Sequence, residues 1–185
     1  DGRASQPERH RRLRRKKVYV PANTIVNCDF LISVPVMKVH MGCGISAAFK
    51  NYVGTGPRIV YGSKGAFSND DLHRKHSLEG RIDSFIIDLA AFHPPDYCVV
   101  DAIRGLQYSE HRADRPDQEV RSNIILAGED PVATDALVAN IMGYKPADLE
   151  FLHMASQRQM GTMDLRNVEV AGDEPDRLRR RWGKA

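Results

Sequence analysis

Residues 31–54 read LISVPVMKVHMGCGISAAFKNYVG, and the fold turns on how this stretch is resolved. Residues 28–34 carry the large apolar and β-branched side chains of a buried strand, and Pro35, with no N–H to give, predicts an end to pairing there. If the chain stays extended past it, Lys38 and His40 lie on one side, because strand side chains alternate with period two. Gly42 and Gly44 permit positive φ, hence a tight turn or a close approach to a ligand. Ser46 fits the N-cap of a short helix over residues 47–52 with Gly54 as terminator, which sets Ser46 and Lys50 on one helical face. A strand, a glycine loop and a helix start flanked by two lysines and a histidine form a site suited to a carboxylate or phosphate. Crowded cations also depress the pKa of one lysine, which makes it an amine base or nucleophile.

Downstream of that stretch, residues 55–69 are rich in Gly, Ser and Lys and read as a loop beside the site. His73 and His76 then stand one helical turn apart. That spacing suits a metal, and it equally suits a wet helix surface begun by Asp70 and Asp71. Leu78, Ile82, Phe85, Ile86, Leu89 and Ala90 recur at helical steps and predict a helix over residues 78–92, ended by Pro94 and Pro95.

Residues 97–100 form a continuous apolar run, as in a parallel strand covered on both sides, with Asp101 at its carboxyl end, where ligands gather in open α/β sheets. Residues 124–127 repeat that geometry. Asp130 and Pro131 fit the cap and first turn of the next helix. Asp135 falls inside that helix among small apolar residues, so it needs a lysine, a metal or a backbone donor. Residues 109–119 read as an exposed charged insertion, residues 147–159 as a helix with His153 on its surface, and residues 168–171 as a last strand. The sum is an α/β fold, a mostly parallel sheet with helices on both faces in a single domain. Lys38 to Lys50, Asp101 and the 128–135 turn are expected along one sheet edge.

Several motifs together resemble a known family. The run from Pro35 to His40, then Gly44, Lys50, Asn51 and Gly54, then Asp101-Ala-Ile, and finally Gly128 to Asp135 are similar, in order, to the core of domain of unknown function 362 (DUF362). That family has no agreed reaction. The site as read from the residues takes Lys50, His40 and Asp101 as catalytic groups and sets Lys38, Ser46, Asn51, Gly44 and Asp135 around the substrate; the resemblance itself names no reaction for them. It also draws His76 towards the site as a metal ligand, so the cofactor is open and a divalent metal is compatible with it. Some members carry a ferredoxin-like cysteine cluster that this chain lacks, so no iron–sulfur cluster is expected. Val36 stands where the family usually has lysine, and the charged run 109–119 replaces a Gly-Pro-rich loop. Members usually carry a further α/β portion ahead of this region, so the chain fits the C-terminal part of a larger protein or a subunit whose partner supplies that portion. A more distant resemblance, to nickel-pincer lactate racemases, rests on His40, Gly44-Ile-Ser46, Lys50 and then His73 or His76 in that order.

Composition bounds the rest. The chain has 185 residues and a formal net charge of +3, with the basic residues gathered at its ends. Residues 1–22 read as a basic arm, 23–172 as the folded domain and 173–185 as a basic tail. The block from Arg11 to Lys17 lacks interleaved aromatics, so nucleic acid is an unlikely partner and its binding would be nonspecific and salt-sensitive. No apolar stretch spans a bilayer and no signal-peptide pattern is visible, which leads to a cytoplasmic expectation. Three widely spaced cysteines fit neither a disulfide framework nor a structural zinc site, with Cys43 the candidate reactive thiol and a spectator role favoured for it. The expected partners are a small anionic ligand, and a second copy or a partner subunit.

Overall fold

The computed structural model describes residues 21–57, 82–111 and 115–185. After a short helix α1 (Asn23–Val26) the chain enters the sheet as β1 (Ile32–Ser33), passes Pro35 and re-enters as β2 (Val36–His40). Strand β3 (Gly44–Ser46) folds back on β2, and a 3-10 helix (Lys50–Thr55) follows. Next come helix α2 (Ile82–Ala90), strands β4 (Tyr97–Leu106) and β5 (Glu119–Gly128), and helices α3 (Pro131–Ile141) and α4 (Glu150–Gln157). A short helix α5 (Pro175–Leu178) lies near the end. The fold is α/β, one domain with an open sheet and packed helices.

β5 pairs antiparallel with β4 from Cys98↔Gly128 to Leu106↔Glu119 and fills one edge of it. The other edge takes β1 and then β2, both parallel to β4, through Ile32↔Tyr97, Ser33↔Cys98 and Val36↔Asp101. β1 and β2 are therefore two halves of one interrupted strand. The expected stop at Pro35 does not hold: the ring removes a donor, but the Pro35 carbonyl still accepts the Asp101 N–H at 2.9 Å. The centre of the sheet is parallel, and β3 and β5 flank it antiparallel.

This pairing corrects the reading of residues 124–127 as a repeat of the 97–100 geometry. β4 and β5 form a hairpin, the charged stretch 109–119 is its connection, and Gly128 lies at the opposite end of β4 from Leu106. β4 also runs past Asp101 for five further residues, so Asp101 sits mid-strand rather than at a carboxyl end. Residues 168–171 form no strand, and the helix expected over 147–159 divides into a 3-10 turn (Pro146–Asp148) and α4.

Strand alternation sorts the two faces of the sheet. Met37, Val39, Ile45, Cys98, Val100, Ala102 and Leu126 are buried on one face, against a core shared with Phe85, Ile86 and Leu89 of α2, Val132, Ala136 and Ala139 of α3, and Phe151 and Leu152 of α4. The other face presents Ile32, Val34, Val36 and Ile125, with Val34 at 62% and Ile125 at 65% exposure. Among the described residues, that face is where an apolar parallel sheet stands uncovered. Lys38, His40 and Ser46 share its parity.

The predicted basic tail is a docked strap. The Arg180 N–H donates to the Ile141 carbonyl at 2.8 Å and the Trp182 N–H to Met142 at 3.1 Å, while the Gly183 carbonyl accepts from Tyr108 N–H at 2.8 Å. Trp182 is buried beneath Gly105 of β4, where any Cβ would overlap both the indole and the Met37 carbonyl. The apolar indole, which the surrounding arginines hide in a charge count, anchors this segment.

Candidate functional site

Two clusters of predicted site residues emerge, one around Asp135 and one around the 40–43 turn. The first is built around Asp135. Its position one turn into α3 buries it completely, and its carboxylate accepts the Ala48 N–H at 2.7 Å and the Phe49 N–H at 3.1 Å. Burial pushes this carboxyl up to about 7, against the two N–H bonds that pull it down. Of the three partners open to Asp135, the structure selects the backbone donor.

The loop donors read as an anion site are thus occupied by the protein's own carboxylate. Around it, the Ser33 hydroxyl donates to the Ala48 carbonyl at 3.1 Å and the Asn51 amide donates to Ser33 Oγ at 3.3 Å. Asn51 thereby ties the 3-10 helix to β1. Asp130 is a complete cap: one oxygen takes the Val132 and Ala133 N–H groups, both at 2.8 Å, and the other takes Thr162 N–H at 2.8 Å.

The second cluster lies at the carboxyl end of β2. His40 is buried, and its Nδ1 accepts the N–H of Gly42 at 3.0 Å and of Cys43 at 3.3 Å. A nitrogen that accepts two donors carries no proton, so the network assigns the proton to Nε2, which faces Glu110 Oε1 at 3.4 Å. Both ring nitrogens are committed to holding the 41–43 turn and the hairpin connection. Glu110 also accepts the Met41 N–H at 3.1 Å. Burial raises the Glu110 carboxyl, and its own N–H, that of Met41 and the neighbouring histidines outweigh this, leaving it below the ordinary carboxylate value.

Nothing in the spacing of residues 109–119 marked Glu110. It belongs to the site through the hairpin that brings the connection back to His40.

Ser46 is no helix cap: it ends β3 and stands opposite Lys38 across the β2–β3 pair. The turn before β3 explains Gly44, whose φ of +84° excludes most side chains and whose added Cβ would run into Leu149. Gly44 serves the turn and the packing there. Cys43 is buried, its thiol donates to the Ile45 carbonyl at 3.2 Å, and burial raises its pKa far above the ordinary value. Such a thiol is inert.

Lys38 and Lys50 differ from all these groups. Both are half-buried, and neither ammonium has a hydrogen bond or ion pair with any described residue. Burial lowers the Lys50 pKa, the charge of Lys38 lowers it further, and Cys43 and Glu110 act in the opposite sense. The structure therefore gathers Lys38, Ser46, Lys50 and Glu110 around the 40–43 turn, with Lys50 following directly on the Phe49 that binds Asp135. Asp101 stays apart on the open sheet face, where its Oδ1 accepts the Ile103 N–H at 2.9 Å across a β-bulge.

His73 and His76 lie outside the described residues. Among the described residues no group of three or more His, Cys, Asp or Glu side chains is placed to hold a metal, and no helix is long and apolar enough to cross a membrane.

Residues 3–140 match the family model described as "Domain of unknown function (DUF362)". The match begins inside the stretch read as a basic arm and ends within α3. No curated protein and no solved structure matches the chain, lactate racemases included.

Proposed function

The chain belongs to the DUF362 family, and within it we propose that this protein is an enzyme, or the remnant of one, that binds a small carboxylate or phosphate between Lys38 and Lys50. The observation that carries this reading is the half-buried ammonium of Lys50, which pairs with no described residue, and a second such ammonium, Lys38, on the neighbouring hairpin. A desolvated cation without a counter-ion costs free energy that an incoming anion recovers. Ser46, across from Lys38, adds a hydroxyl donor. Asp135, Asn51 and Gly44 act at one remove: they fix the 44–51 segment and so aim Lys50.

Calorimetric titration with inorganic phosphate and with citrate tests the reading. Binding by the native chain and a loss of at least about tenfold in Lys50→Met, about 1.4 kcal/mol, are expected. Equal affinity in the two proteins would overturn it.

A second reading, a binding subunit completed by a partner, draws support from the uncovered apolar face around Val34 and Ile125. It predicts that a co-purifying partner raises solubility and stability. A nucleic-acid role gains nothing from the C-terminal basic residues as a free arm, because Arg180 to Gly183 are bound into the fold.

A further inference from the structure

The site just described contains three kinds of nucleophile, and the geometry disqualifies two of them. The Cys43 thiol is buried and bonded to the Ile45 carbonyl. Ser46 would need a base, and the imidazole of the adjoining turn, His40, accepts two backbone N–H groups on one nitrogen and faces Glu110 with the other. That leaves the amine of Lys50, partly withdrawn from water and free of any hydrogen bond or ion pair with the described residues.

An amine in that condition is suited to more than charge pairing. Burial lowers the Lys50 pKa, against the opposing charge of Glu110, and in the neutral form so favoured the nitrogen lone pair attacks carbonyl carbon. Lys38 supplies what such a substrate needs next to its carbonyl, a cation for a carboxylate, and Ser46 on the paired strand supplies a hydroxyl.

We infer that Lys50 forms an imine with the carbonyl of a small 2-oxo acid whose carboxylate is held by Lys38. The inference rests on the anion-binding reading above. The neutral amine adds to the carbonyl carbon, the nitrogen gives up its two protons, and the carbonyl oxygen leaves with them as water. No oxidant or reductant enters. The imine then serves as an electron sink for bond cleavage or proton loss at the adjacent carbon.

The test is reductive trapping: native protein with pyruvate and cyanoborohydride at neutral pH, read by intact mass and peptide mapping. One reduced adduct at Lys50, formed faster than at any other lysine, is expected, since a lowered pKa raises the free-amine fraction. Lys50→Arg keeps the cation and removes the nucleophile, so it should retain phosphate binding and lose the adduct. Lys38→Met should slow trapping and leave Lys50 reactive towards an uncharged aldehyde. Phosphate binding that depends on residue 50, with no adduct above the background of the other lysines, would overturn the imine and leave the anion site standing. Loss of both in the native protein would overturn both.

Discussion

The Asp135 cluster and the Lys38–Lys50 cluster solve the same chemical problem in opposite ways. Around Asp135, the loop N–H groups of Ala48 and Phe49 meet a carboxylate from the protein itself, and Ser33 and Asn51 close the network around it. Around Lys38 and Lys50, two half-buried cations have no ion pair or hydrogen bond with any described residue, although the charge of Glu110 reaches Lys50. The comparison teaches where to look for function: a buried charge that is fully bonded explains the fold, and one left unbonded asks for a ligand.

The largest effect should come from emptying the satisfied cluster. Asp135→Ala strands two buried N–H donors, at about 1–3 kcal/mol each, so urea unfolding should show a loss of about 3 kcal/mol or more. A loss below about 1 kcal/mol would show that the carboxylate does not hold the loop.

A pH series sharpens the same point. The folded-state pKa of Asp135 is raised from 3.8 to about 7, so the folded protein holds this proton more tightly than the unfolded chain. The resulting stability is fully present below 3.8 and is lost as pH rises through about 7. Asp135→Asn, which cannot ionise, should remove that slope. Parallel pH curves for the two proteins would contradict the assignment.

Smaller effects are expected at the other cluster. His40→Ala removes an acceptor of two N–H groups and should cost about 1–2 kcal/mol. Phosphate affinity should stay within about threefold, under 1 kcal/mol, because His40 holds the turn and not the ligand. A collapse of affinity at retained stability would return His40 to the chemistry. Lys50→Met should lie within about 0.5 kcal/mol of the native stability, since the ammonium has no partner to lose, while anion binding disappears.

The same contrast explains what could be read from residues alone. Asp130 and Pro131 are a local signal, a side chain and a ring acting on the next few residues, and the structure reproduces the cap they predict. The demand that Asp135 find a polar partner was equally legible, because burial follows from its small apolar neighbours; which partner was not, since Ala48 and Phe49 are distant in sequence. The β4–β5 hairpin escaped because its connection, residues 109–119, has neither periodicity nor a turn motif, and its apolar runs look the same in either strand direction. Ser46 fits a cap in the sequence because serine before a helical stretch and serine at a strand end look alike until the partner strand is known. Glu110 joins the site only through that hairpin. Trp182 shows the converse, a single apolar residue among arginines that docks a segment whose charge suggests a free tail.

The central claim, that Lys50 is a desolvated amine awaiting an anion, is tested most directly by NMR titration of the lysine side chains labelled at Cε, with and without phosphate. The account predicts one lysine, absent from the Lys50→Arg spectrum, that titrates below the ordinary 10.5 and moves upward when phosphate is added. A Lys50 that titrates at the ordinary value and ignores phosphate would contradict it.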